Sequence, residues 1–395
     1  VVYGSPDGGH RAHVGAVSGW IADQAAEIAA RAERELEALV GVSSPSGDVP
    51  GAEECISVAS ALAPPAAAGE RVPCSSPGHA DDLILRLAGT GTRRVLLLGH
   101  LDTVVAHEDH RPLLREQDRL VGSGTVDMKG GDVLALGVLR ALAQRTGDFA
   151  EAALLLVCDE EWRTAPFAHV ERFAGWDACL CFEAGQLTPE RDEAVVVWRK
   201  AAGTLHVRAV GASSHSGSAP ERGRNALLAL ATAAQVVADA HDPSGPDRLT
   251  AVPTVLHSGD AFNVVPSGGE LFCDLRSDRT GAFHEVLDRI PSEVGGAELH
   301  AEFARIWPAM DARQETAPLL AEASARLGRA VIGAGRGGAS DASHFAPAIP
   351  LTVDGLGPRG GGAHAPHEFV LRASLRARAE IALAIVDALL AETGH

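Results

Sequence analysis

The segment "RVLLLGHLDTVV", residues 94–105, decides the fold. Val95–Leu98 is four apolar residues without alternation, the pattern of a strand buried on both faces, and Arg94–Gly99 is read as that strand. The run stops at His100 and Asp102. In open α/β sheets ligands bind outside the carboxyl ends of the strands, so an imidazole and a carboxylate placed there point at something.

The bulk composition bounds the answer. A chain of 395 residues exceeds one ordinary core and suits two domains. Apolar content of 46% with 22% charged residues is globular. A net charge of −18 argues against nucleic acid and anionic membrane as partners, and is otherwise a solubility feature. The six cysteines, at 55, 74, 158, 179, 181 and 273, form no CxxC pair. That excludes a zinc ribbon and a disulfide framework, and suits a reducing compartment. Without an 18-residue apolar stretch or a signal-peptide pattern, the expected location is cytoplasmic.

Strands and helices alternate along the first half. Trp20–Val40 has amphipathic helical spacing, and a helix is expected from Gly131. "AALLLVCDE" reads as a strand, "APFAHVERFAG" as a helix and "DACLCFEAG" as a strand. Such βαβα order predicts an α/β fold, a largely parallel sheet with helices on both faces. Near residue 194 the grammar changes. "AVVVWRKAAGTLHVRAVG" reads as two strands meeting at a short turn. A helix, two strands, a helix and a strand follow, the signature of a smaller, inserted α+β two-layer domain. The expected organisation is a flexible leader at 1–19, a catalytic domain at 20–201 and 313–395, and an inserted lid or dimerisation domain at 202–312.

Chemistry-bearing residues fall where the apolar strands stop: His100 and Asp102, then Asp127 in "GSGTVDMKGG", Asp159–Glu161 in "CDEEW" and Glu183 in "CFEAG". The loop "GGGAHAPHEFV" adds His364 and His367. Neutral imidazoles with several carboxylates on one rim form a ligand set for a divalent metal, zinc before calcium or magnesium. Any one motif is weak, because strand ends are often acidic and the chain holds 17 histidines.

Taken in order, "GHLDTV", "GSGTVDMKGG", "DEE", "FEAG", "GASSHSG", "GGASDA" and "GAHAPHE" resemble the co-catalytic zinc hydrolases. These include glutamate carboxypeptidases, aminoacylases, acetylornithine deacetylase and succinyl-diaminopimelate desuccinylase. The wording is most similar to the glutamate carboxypeptidase type, and the likeness runs from about residue 35 to the end. The resemblance implies two Zn²⁺ per subunit, with Co²⁺ or Mn²⁺ able to fill the same ligands. It implies that Asp127 bridges them, with His100 and Glu183 on one ion and Glu161 and His364 on the other. Asp102 would orient the His100 ring, and Glu160 would be the general base for the attacking water. His215 would reach the partner subunit's site in a homodimer built through the inserted domain, and donate to the oxyanion there. Asn263, Arg276, Ser340 and Asp341 match substrate-contact positions; capping a helix is the minimal role of the last two. Lys129 is expected to position structure, and a strained, cis peptide is expected after Asp127.

The chain departs from its relatives at "EEWRTAPF", which puts Trp162 and Arg163 beside the metals. Arg163 is therefore read as a further substrate residue. Trp307 in "ARIWPAM" replaces an arginine of glutamate-specific relatives, which argues against that C-terminal preference. The expected activity is hydrolysis of a small peptide or N-acyl amino acid carrying a free carboxylate. Carboxypeptidase or dipeptidase is favoured, and N-acyl amino acid deacylase is the alternative. A catalytically silent binding protein would need a lost ligand or base, and all are present. A dinucleotide oxidoreductase lacks its GxGxxG turn.

Overall fold

Strand Arg93–His100 runs between Phe149–Val157 and Ala178–Cys181, parallel to both, in the computed structural model, which describes residues 19–365 and 367–391. Leu351–Val353 adds a further parallel strand beside Ala178–Cys181. On the other side Asp82–Ala88 and Ala68–Val72 complete a six-stranded sheet with antiparallel pairings. All but Gly19 of the expected leader lies outside the described residues.

The unbroken apolar run follows from burial on both faces. Val95, Leu97, Leu154, Leu156 and Leu180 point into one core, shared with the helices Gly19–Val40, Gly130–Leu142 and Arg372–Ala391. Their sequence neighbours Leu96, Leu98, Leu155, Val157, Cys179 and Cys181 point into a second core with Phe173, Trp176 and Phe345. All six cysteines are free thiols.

That second face carries a correction. Residues 165–175, expected as a helix, form an irregular segment with one 3-10 turn at Val170–Phe173. Pro166 supplies no N–H, and the amides of Thr164 and Ala168 bond instead to the hydroxyls of Ser76 (2.9 Å) and Ser75 (3.1 Å). Side-chain acceptors from a distant loop replace the helical carbonyls.

A second correction lies at residue 200. Glu193–Arg199 and Ala201–Val210 form no hairpin; they belong to different sheets. The first pairs in parallel with Val331–Arg336 and takes Met310–Asp311 on its other edge. The second lies inside a five-stranded antiparallel sheet, between Gly268–Ser277 and Ala297–Trp307. Lys200 alone cannot turn the chain back, so the strand crosses from one sheet to the next.

The antiparallel sheet has its own core. Leu205, Val207, Leu271, Cys273 and Leu275 pack on the helices Ala226–Asp239 and Gly281–Leu287. Its edge strand Thr250–Ser258 leaves Val252, Val255 and Leu256 exposed, and Phe262 beyond it is fully exposed. Among the described residues, no helix is long and apolar enough to cross a membrane.

Candidate metal centre and substrate cavity

The parallel strands deliver their ends to one rim. His100 closes its strand, Glu160 and Glu161 follow Phe149–Val157, and Glu183 follows Ala178–Cys181. Asp127 arrives from the turn before helix Gly130–Leu142. His100 Nε2 lies 3.2 Å from Asp127 Oδ1 and 3.7 Å from Glu183 Oε1. His364 Nε2 lies 3.0 Å from Asp127 Oδ2 and 3.2 Å from Glu161 Oε2. Asp127 thus turns one oxygen to each of two ligand pairs. His367 sits exposed on the same loop, outside this grouping.

Two carboxylates hold the arrangement from behind. Asp102 accepts from the amides of Glu160 (3.2 Å) and Glu161 (3.1 Å), and its Oδ1 is 3.4 Å from His100 Nδ1. The main-chain carbonyl of Asp102 also accepts from His100 Nδ1 (3.1 Å), so this one residue positions a candidate ligand ring and the backbone of the candidate base. Glu368 was not singled out from the sequence. It accepts from the amides of Gly124 (2.9 Å), Val126 (2.7 Å) and Asp127 (2.9 Å), fixing the turn that presents Asp127. The Asp127–Met128 peptide is cis. The glycines of "DMKGG" answer to crowding: a Cβ on Gly131 would stand 1.9 Å from the Phe182 carbonyl oxygen, so only glycine lets the helix start abut the strand that leads to Glu183. Lys129 is buried and donates to the Val42 carbonyl (2.8 Å), a structural role.

The rim gathers carboxylates around two imidazoles. Asp127, Glu160, Glu161 and Glu183 have no arginine or lysine salt bridge among the described residues. Burial pushes Glu160 well above the usual carboxylate range, and burial beside Asp127 lifts Glu183 to about 8. Hydrogen bonds to Asp127 and Glu161 raise His364 to about 10. Asp127 goes the other way: burial opposes it, but bonds from His100 and His364 hold it below the ordinary range. Glu161 Oε1 is buried without a hydrogen-bond partner among the described residues. His100, Asp127 and Glu161 offer ligand atoms all within 4.8 Å of one another. Oxygen and imidazole donors with an unmet buried lone pair fit a divalent cation.

Residues 96–388 match Peptidase family M20/M25/M40. The chain belongs to this family. It is a metallopeptidase or amidohydrolase, with the family's metal dependence. It is 26% identical over 298 residues to carboxypeptidase G2 of Pseudomonas sp. (strain RS-16), spanning 72% of this chain and 71% of that protein. Succinyl-diaminopimelate desuccinylase of Rhodospirillum centenum is 28% identical over 316 residues, 72% of this chain and 79% of that one. In fold the chain is similar to a tripeptidase from Staphylococcus aureus, with a TM-score of 0.73 at 20% identity, covering 92% of this chain and 98% of that one.

In this M20 chain a cavity of about 450 Å³ opens over the rim, bordered by Asp127, Glu160, Glu161, Glu183 and His364. The inserted sheet supplies its opposite wall, including Arg276, which bonds to Asp274 on its own strand (3.0 Å). Three further arginines that sequence reading missed also border it: Arg199, Arg305 and Arg336. Arg199 is held by Asp354 (2.6 Å), whereas Arg305 and Arg336 have no carboxylate partner among the described residues.

Several expected substrate residues lie elsewhere. Arg163 is buried, bonded to Asp159 (2.9 Å) and to both oxygens of Asp341, so its guanidinium is consumed inside the fold and offers nothing to the cavity. Asp341 is equally committed. Ser340 is fully buried; its hydroxyl accepts from the Ala342 amide (3.2 Å) and lies 3.7 Å from Cys181 Sγ, so it is taken up inside the fold, while Asp341 stands at the helix start without a side-chain capping bond. Their neighbours Gly338 and Ala339 border the cavity instead. Trp162 does line it, half exposed. His215 and Asn263 are exposed on the inserted unit and do not border this chain's cavity.

Proposed function

We propose that this M20 chain hydrolyses the amide bond of a small peptide or N-acyl amino acid carrying a free carboxylate, using two divalent ions, zinc by preference. The supporting observation is the division of Asp127, one oxygen toward His100 and Glu183 and the other toward His364 and Glu161. Bound by these residues, the ions would polarise the scissile carbonyl and make water acidic enough to attack it near neutral pH. Glu160 takes the proton from the attacking water and passes it to the leaving nitrogen. Asp102 keeps the His100 ring turned with its Nε2 lone pair inward and holds the Glu160 backbone in place. Arg276 and Arg336 are the groups for the substrate's free carboxylate, Arg336, like Arg305, having no carboxylate partner among the described residues.

His215 belongs to the same reading through a second subunit. Its Nδ1 accepts from the amides of Gly217 and Ser218 (both 3.1 Å), which places the ring proton on Nε2, ready to donate. Being exposed and outside its own chain's cavity, it acts across a homodimer formed by the inserted unit, whose edge strand exposes Val252, Val255 and Leu256. A carboxypeptidase or dipeptidase reading is preferred to a deacylase.

The test is hydrolysis by the metal-loaded and chelator-treated protein across dipeptides and N-acetyl amino acids. Metal-dependent release that vanishes in Glu160→Ala supports the reading, and the preferred series chooses peptidase or deacylase. Two tightly bound metals with no cleavage of either series would overturn it.

A further inference from the structure

Among the described residues only two phenylalanine or tryptophan side chains are exposed, and both stand beside functional groups. Trp162 follows the candidate ligand Glu161 directly, borders the metal cavity and is 54% exposed. Phe262 is on the inserted unit, fully exposed and next to Asn263. The chain is poor in aromatic residues, 4% of its length, and it buries or half-buries the others that are described. Two large apolar rings left in water are the exception, and each has a face to cover.

Phe262 and Asn263 are the central residues of a turn, closed by the Val264 amide on the Ala261 carbonyl (3.5 Å). Turn tips favour small or polar residues, so local structure does not ask for a phenylalanine there. The turn is tied to His215. Val264 lies opposite His215 in a two-stranded ladder, and the Ser216 amide donates to the Asn263 carbonyl (3.0 Å). With strands about 4.8 Å apart and a rise of about 3.3 Å per residue, the Cα of Phe262 stands about 8 Å from that of His215. No residue of the turn borders the metal cavity of its own chain. Val264 beside it is exposed, as are Val252, Val255 and Leu256 of the edge strand, so Phe262 belongs to a wider apolar surface of the inserted unit.

We infer that Phe262 of the partner subunit packs on Trp162 at the mouth of the metal cavity, an aromatic clasp between two copies of the chain. This rests on the reading in which His215 acts across a homodimer. The spacing supports it. A turn that brings His215 of the partner subunit over Glu161 and its neighbours also brings Phe262 of the partner subunit within the span of two aromatic side chains of Trp162, one residue further on. Packed together, the two rings leave water and gain the edge-on or offset attraction of an aromatic pair. Twofold symmetry makes the contact occur twice, each chain giving one ring to each site. The clasp covers the cavity and fixes how the partner's His215 and the partner's Asn263 stand over the rim. The departure at "EEWRTAPF" thereby acquires a role: its tryptophan is the seat for the partner's turn.

The test uses the zinc-loaded full chain carrying Trp162→Cys and Phe262→Cys together, treated with bis(maleimido)ethane. A covalent dimer is expected in this double variant and in neither single one, since the native thiols are buried apart from the half-buried Cys74. Rates follow on whichever dipeptide or N-acetyl amino acid the wild type cleaves fastest. Trp162→Ala and Phe262→Ala should each lower kcat/KM about tenfold, and the two in one chain should lower it no further, because either change already removes the contact. Co-expressing the two alanine variants gives mixed dimers in which one site keeps both rings, so kcat/KM should rise to about three times that of either variant alone. A dimer in sedimentation without the cross-link, multiplying losses in the double alanine variant, or no recovery on mixing would overturn the clasp and leave the hydrolase reading standing. A monomer would overturn the clasp together with the role of His215 across subunits. A cross-linked dimer that cleaves no amide of either series would overturn the hydrolase reading alone.

Discussion

Two acidic clusters lie at the same end of the parallel sheet, and they differ in what neutralises them. In the first, Asp159 and Asp341 close on the guanidinium of Arg163, with all three side chains buried. In the second, Asp127, Glu160, Glu161 and Glu183 gather around two imidazoles, with no arginine or lysine salt bridge to any of the four among the described residues. Buried carboxylates have to be compensated, and a protein that intends only stability supplies its own cation. The cluster without one is the cluster left for a ligand. Three residues of "DEEW" and its continuation fall on both sides of this divide: Asp159 goes to the fold, while Glu160 and Glu161 go to the site.

The comparison is sharpest at Glu160. Replacing it with alanine should lower kcat by about a hundred- to ten-thousandfold, the range for loss of a general base, with the bound metal content unchanged. Elemental analysis alongside the rate measurement checks both halves. A variant that loses its metal as well would move Glu160 from base to ligand.

The other cluster should respond in the opposite currency. Arg163→Ala leaves Asp159 and Asp341 buried and unpaired, and should cost about 3–5 kcal/mol of stability, read by denaturant unfolding. Protein that folds should still bind metal at the rim. A variant that keeps its stability but shifts its preference among amino acids held at the free-carboxylate end would restore Arg163 as a substrate contact and erase the contrast.

Between these stands Asp102, which belongs to the site without facing the cavity. Asp102→Ala frees the Glu160–Glu161 amides and strips the carboxylate from beside the His100 ring, leaving the ring only its bond to the main-chain carbonyl of residue 102, and metal affinity should fall about 10–100-fold. Competition with a chromogenic chelator measures it. A loss of rate at full metal occupancy would mean that the Glu160 amide, and not the ring, is what Asp102 secures.

How much of this was legible in the sequence follows the same divide. The rim could be read because His100, Glu161 and Glu183 follow the ends of apolar strands, and strand ends in a parallel sheet converge whatever lies between them; Asp127 and His364 come from loops and were legible only through the resemblance. Arg163 was misplaced because its partners sit at 159 and 341, and only the first is near in sequence. An aspartate four residues before an arginine was the one available signal. Glu368 gave none at all: it acts on amides more than 240 positions earlier in the chain. The helix expected over 165–175 failed for a related reason, since the hydroxyls that capture the Ala168 amide and that of the preceding Thr164 come from Ser75 and Ser76. Arg305 and Arg336 read as ordinary strand residues until the inserted sheet is placed against the rim.

The smallest effect belongs to His344, which stacks on Phe167 above the Arg163 cluster. Burial, opposed by Asp341 and reinforced by Arg163, pushes its imidazole down from 6.5 to about 4. Above pH 6.5 the ring is neutral in both folded and unfolded chains and contributes no pH dependence. As the pH falls below that value the unfolded chain takes up a proton that the folded one refuses until about 4, so stability declines across this window. His344→Phe keeps the stack on Phe167 and removes the titration. Its melting temperature should therefore fall less than that of the wild type between pH 7.5 and pH 5, by roughly a few degrees. Parallel curves for the two proteins would mean that the imidazole takes up its proton in the folded chain as readily as in the unfolded one.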